Sequence, residues 1–258
     1  MQENRKAKRI AGAVLCAVIV IAVWQIVYMI GVNGLNIWKS YTMPSPGGVA
    51  QSMIFLCAGG SIFKAIGFSL LRGVAGYAIA IAIGTGLGLL INQVKLCKLY
   101  LKPLILGIQT LPSICWVPFS ILWFGLKPQA IIFVVVMGSA FGISISIDAA
   151  IGGVPSIYKK VALTMGATKG QLYRKVIFPA CIPALISGLK QGWSFAWRAL
   201  MSGEVMTTCV GLGQTLMTGR DMADINQVML VMVIIVVVGI LIDKLIFETI
   251  EKKVAYHV

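Results

Sequence analysis

Ile157-Tyr-Lys-Lys-Val-Ala-Leu-Thr-Met-Gly-Ala-Thr-Lys-Gly-Gln-Leu-Tyr-Arg-Lys-Val-Ile-Phe-Pro179 is the stretch on which the fold turns. It reads as a short helix from Ile157 to Met165, a turn at Gly166-Ala-Thr168, and a second helix from Lys169 to Lys175. Pro155 pre-sets the first helix, Gly166 permits a sharp turn, Thr168 caps the second helix, and Pro179 is expected to stop it. Residues 148–178 hold five bases and a single acid, Asp148, between two apolar runs. Such a basic helical pair either lies on a lipid surface or docks in a groove on another protein.

Outward from this loop the chain is too apolar for an ordinary soluble domain. Of 258 residues, 59% are hydrophobic and 12% charged, and apolar runs long enough to cross a bilayer alternate with short polar stretches. Six spans follow, near Ile10 to Ile30, Ala65 to Ile91, Pro103 to Trp123, Gln129 to Ile147, Ala180 to Leu200 and Val228 to Leu245. The expectation is an all-α polytopic helical bundle forming a single domain over 1–258, with a core region 60–250 and the basic loop at 149–178. Bases cluster at Arg5 to Arg9, Lys95 to Lys102, Lys159 to Lys175 and Lys244 to Lys253, which under the positive-inside bias places these segments and both termini in the cytoplasm. The net charge of +14 therefore reports orientation and not nucleic-acid binding.

Several chemistries are excluded. The single histidine, His257, is penultimate, the six cysteines are scattered without a CxxC pair, and no phosphate-binding loop occurs. No catalytic residue, metal site or bound cofactor is expected. Asn33, Asn36, Pro44-Ser-Pro46 and Gly47-Gly48 mark an external loop, and Gly84 with Gly88 forms a small-residue step for close helix approach.

Charges and breaks inside the spans mark a candidate path or gate. These are Arg72, Arg198 and Glu204, the prolines Pro112 and Pro118 that interrupt the third span with Trp116 between them, and the small residues Ser194 and Ser202 at the fifth span. Arg72 either snorkels to the outer interface or faces the path, and Glu204 pairs with Arg198 or with a neighbouring helix, or lines an outer gate. Asp148 faces the inner headgroups.

The loop resembles a known motif. Lys160-Val-Ala162, Gly166 after three intervening residues, and Val176-Ile-Phe-Pro179 after nine more are similar to the EAA motif (EAA-x3-G-x9-I-x-LP) of ATP-binding-cassette importer permeases. Ser69-Leu-Leu-Arg72, Leu111-Pro-Ser-Ile-Cys-Trp-Val-Pro118, Ile121-Leu-Trp-Phe-Gly125, Gly203-Glu204 and Gly211-Leu-Gly213 extend the resemblance to the nitrate, sulfonate and taurine branch. The resemblance implies a translocation subunit of type I fold that pairs with a second permease copy. It also implies two copies of an ATPase that holds ATP and Mg²⁺, and an extracytoplasmic substrate-binding protein. ATPase contact would fall on Lys160, Val161, Ala162, Gly166 and Ala167, with Met165 as an apolar plug and Pro179 closing the motif. Lys160 departs from the family's glutamate, and Gly142 and Ser146 stand where relatives carry proline and asparagine. The implied cargo is a small anion such as a sulfonate, taurine or nitrate, with a pyrimidine precursor of thiamine as an alternative. A self-sufficient secondary transporter or channel is the rival reading.

Overall fold

A computed structural model describes residues 2–34, 37–39 and 41–255; Asn36 and His257 lie outside these, as do the side chains of Arg5 to Arg9 and Asn33. The elements are α1 (Gln2–Tyr28), α2 (Pro46–Ala58), α3 (Ser61–Gln93), α4 (Cys97–Gln109) and α5 (Ser113–Phe124). They continue with α6 (Pro128–Gly152), α7 (Ser156–Thr164), α8 (Gly170–Val205), α9 (Leu212–Asp221) and α10 (Ile225–Lys252). No strand occurs among the described residues. Helices α3, α6, α8 and α10 are long and apolar enough to cross a membrane, and α4 with α5 makes a fifth span if the bent pair crosses as one. Of the span expected over Ile10 to Ile30, the described apolar part is Val18–Val32, shorter than a full crossing.

The third expected span breaks once. Helices α4 and α5 meet at 93°, and Pro112, with φ −56° and ψ 139°, sits at the corner. Pro118 lies inside α5 and does not interrupt it. Pro179 is a second correction, because the chain does not stop there but runs on as the continuous helix α8. The turn at Tyr173–Ile177 just ahead of it is widened to a π-helical spacing, which relaxes the ladder where proline brings no N–H and a bulky ring.

The described contacts divide the chain into two groups. One comprises residues 1–64 and 215–234. Within it, Ser45 caps α2 by accepting from the Gly48 N–H at 3.0 Å, Asn226 accepts from the Ser45 N–H at 2.9 Å, and Trp24 donates to the Pro44 carbonyl at 3.0 Å. Asp224 caps α10 by accepting from the N–H groups of Asn226 and Gln227.

The second group, residues 65–214 and 235–258, carries the central pair of α6 and α8. In a bilayer these helices gain little from burying apolar area against one another, so close van der Waals packing decides the fit. Ile143 lies against Gly192 and Ser146 against Gly188, positions where a side chain would clash. Helix α3 seats on α6 through Gly84 and Gly88, as its small-residue step predicts. Charge ties close both ends of this group. At the α7 end, Asp148 accepts from Lys102 at 2.7 Å and from Asn92 at 3.1 Å, fastening α3, α4 and α6 together. Asp148 is buried in this cluster instead of standing among headgroups.

Candidate functional site

At the opposite end, Glu204 is fully buried near the end of α8. It accepts from Arg72 on α3 at 2.8 Å, from the Ser69 hydroxyl at 2.7 Å and from the Gly213 N–H at 3.0 Å. Arg72 also donates to the Val210 carbonyl at 2.7 Å, and the Leu212 N–H donates to Ser69 at 2.8 Å. The loop before α9 thus wraps the carboxylate. A Cβ on Gly211 would sit 2.5 Å from a Glu204 oxygen, and one on Gly213 would sit 2.5 Å from the Glu204 Cβ, so both positions need glycine. Arg72 neither snorkels nor faces a path, and Glu204 pairs across to α3, not with Arg198. Both hold the bundle together.

Arg198 lies elsewhere. It lines a cavity of about 480 Å³ formed where α4 and α5 part at Gln109 to Ile114, with Gly138, Phe195 and Ser202 completing the wall. Its Nε donates to the Ser194 carbonyl at 3.1 Å and its guanidinium stands 5.0 Å over the Phe195 ring. No carboxylate reaches ion-pair distance of it among the described residues. Pro112 lines this cavity, whereas Trp116 packs against the core residues Val117, Val134 and Ala199, and Pro118 is exposed beyond it.

Arg198 is one member of a polar stripe along a single exposed or half-exposed face of α8: Ser187, Gln191, Ser194, Arg198 and Ser202. The spacing of four, three, four and four residues keeps all five on one face. Its lower members line a second groove of about 330 Å³ with Ser146. A polar face on a membrane helix belongs to a water-filled route or a bundle interior, not to lipid. Ser187, Gln191 and Gln109 escaped the sequence reading, although polar residues recurring at helical spacing within the fifth span were the available signal. Lys190 escaped as well; it pairs with Asp243 and Glu251 of α10 at 3.4 and 3.5 Å.

The loop between α6 and α8 is closed by its own hydrogen bonds. The Ala167 N–H donates to the Ala162 carbonyl and the Gly166 N–H to the Leu163 carbonyl, both at 3.0 Å, which is a Schellman closure of α7. It requires the positive φ of Gly166, 79°. Thr168 and Gln171 then exchange a reciprocal pair, Thr168 N–H to Gln171 Oε1 at 2.9 Å and Gln171 N–H to Thr168 Oγ1 at 3.3 Å, a capping box that starts the next helix. Ala162, Leu172 and Ile177 are buried in the same core as Ile147 and Val154, with Ala167 packed against it. Ala162 therefore points into the bundle, not outward to a partner. Lys160 and Pro179 are exposed, and so are Ile157, Val161 and Met165, the last at 82%.

Residues 76–256, which include this loop and the polar stripe, match the binding-protein-dependent transport system inner membrane components. The chain belongs to this family. It is 29% identical over 242 residues to a protein of Bacillus subtilis (strain 168) assigned as an aliphatic sulfonates transport permease, covering 94% of this chain and 85% of that one. It is 27% identical over 248 residues to a nitrate import permease of Synechocystis sp. (strain ATCC 27184 / PCC 6803 / Kazusa), covering 93% and 87%. Among solved structures, the inward-facing MetNI methionine ABC transporter matches with a TM-score of 0.64 at 22% identity, over 75% of this chain and 96% of that one. The permease thus has the type I importer fold, is a multi-pass membrane protein, and serves as a transport permease subunit.

Proposed function

We propose that this permease works as one of two copies in an importer driven by two copies of a separate ATPase, with α7 as the element through which ATP binding and hydrolysis reach the membrane. The observation that carries this is the knob itself. Exposed Ile157, Val161 and Met165 stand on a helix locked by the Gly166 closure and rooted in the bundle core through Ala162. Force applied to such a knob passes to α6 and α8 instead of being absorbed by a loose loop. ATP and Mg²⁺ belong to the ATPase, whose docking surface must offer an acid or a neutral group to Lys160. Both termini and α7 lie on the cytoplasmic side under the positive-inside bias, and a substrate-binding protein delivers cargo from the other side.

The cargo is a small anion, as the names of the sulfonate and nitrate relatives suggest. A self-sufficient secondary transporter is disfavoured, because among the described residues every acid of the crossing helices α3, α6, α8 and α10 is matched: Glu204 with Arg72, Asp148 with Lys102, Asp243 and Glu251 with Lys190, and Glu248 with Lys252. None stands ready to couple an ion. The test is reconstitution in proteoliposomes with the ATPase and binding protein that co-purify with the chain. ATP-dependent uptake of labelled butanesulfonate or nitrate is expected; uptake without ATP, driven by an ion gradient, contradicts the proposal.

A further inference from the structure

The cavity at the α4–α5 corner has features that a mere packing defect lacks. Arg198 uses only its Nε within the protein, and neither terminal nitrogen finds a partner among the described residues. The Gln109 amide and the Ser113 hydroxyl, on the facing wall, likewise make no hydrogen bond among the described residues. A cation within a membrane helix is costly unless matched. Arg72, Lys102 and Lys190, by contrast, each meet a carboxylate. The lining of this cavity contains no acid.

We propose that this cavity is a binding station in the permease for a small organic oxyanion, its charged head on Arg198 and its carbon body against Phe195, Leu111 and Ile114. This rests on the anion-import reading and specifies it. The two free terminal nitrogens of a guanidinium form a planar fork that suits two oxygens of a sulfonate or carboxylate head. Nε is tied to Ser194 and the ring of Phe195 lies beneath, so the fork is held in place before a ligand arrives. Ser113 and Gln109 supply donors from across the cavity. At about 480 Å³ the space falls within the ordinary range for small-ligand pockets and greatly exceeds what a bare inorganic anion fills. The apolar walls select for an anion with a short carbon chain.

The experiment is equilibrium dialysis of radiolabelled butanesulfonate against the full-length permease with its ATPase in zwitterionic-lipid nanodiscs, without binding protein. Saturable binding is expected, competed by methanesulfonate less well, by nitrate weakly and by neutral butanol not at all. Arg198→Gln should weaken binding at least tenfold and Arg198→Lys by a smaller factor, while Lys64→Gln, outside the cavity, should match the wild type. Equal binding by Arg198→Gln, competition by butanol, or absence of saturable binding by the wild type would overturn the station. Uptake of anions by the complete reconstituted system is read separately. Import that persists while the station fails leaves the import reading intact, and an absence of all anion import removes both.

Discussion

Single residues in this permease do work that their neighbours in sequence do not announce. Glu204 and Arg198 lie six positions apart, which on an α-helix puts them about 120° apart around the axis, so they cannot pair. Glu204 instead meets Arg72, 132 positions away, in a site where the glutamate is fully buried. Such a pair contributes little net stability when intact, but removing one partner strands a buried charge at a cost of about 3–5 kcal/mol. Arg72→Met is therefore expected to lower the thermal unfolding midpoint of the detergent-solubilised permease sharply. The double variant Arg72→Met/Glu204→Gln should recover part of the loss, since no charge is then left alone. Unchanged unfolding in the single variant would mean that the pair is solvated and structurally idle.

Among elements, the seam between α3 and α6 shows how far the sequence could be read. A Cβ at Gly84 would sit 2.7 Å from the Ala140 carbonyl oxygen and one at Gly88 2.7 Å from the Ser144 carbonyl oxygen, whereas Gly86 faces open space. Backbone cannot yield as a side chain can, so Gly84→Ala is expected to cost about 1–3 kcal/mol. Gly86→Ala should leave the unfolding midpoint unchanged or raise it slightly, because alanine is the better helix former. This step was legible because small-residue spacing is a local signal. So was the turn at Gly166 with Thr168 as cap, where local rules act without competition. Pro179 was misread because a widened turn lets a helix pass through proline, and spacing alone carries no trace of that. Ala162 was misassigned for a related reason: a motif says which positions matter but not which way each one faces. Ser194, Arg198 and Ser202 of the polar stripe on α8 were legible one by one, but Ser187 and Gln191 and the stripe itself emerge only when all five are projected onto one face together.

At the scale of the whole molecule, one helical group carries both an exposed knob at α7 and a polar face along α8, connected through continuous helix and a shared core. In the coupling proposed above, that connection converts events on an ATPase into movement along the path. The most direct measurement is co-purification of the ATPase with the tagged permease in mild detergent, comparing the wild type with Val161→Asp/Met165→Asp. Both side chains are exposed, so the double variant should fold and elute as the wild type does on gel filtration. The account predicts that the wild type brings down an ATPase and the double variant does not. A well-folded double variant that retains the ATPase in full would contradict coupling through α7.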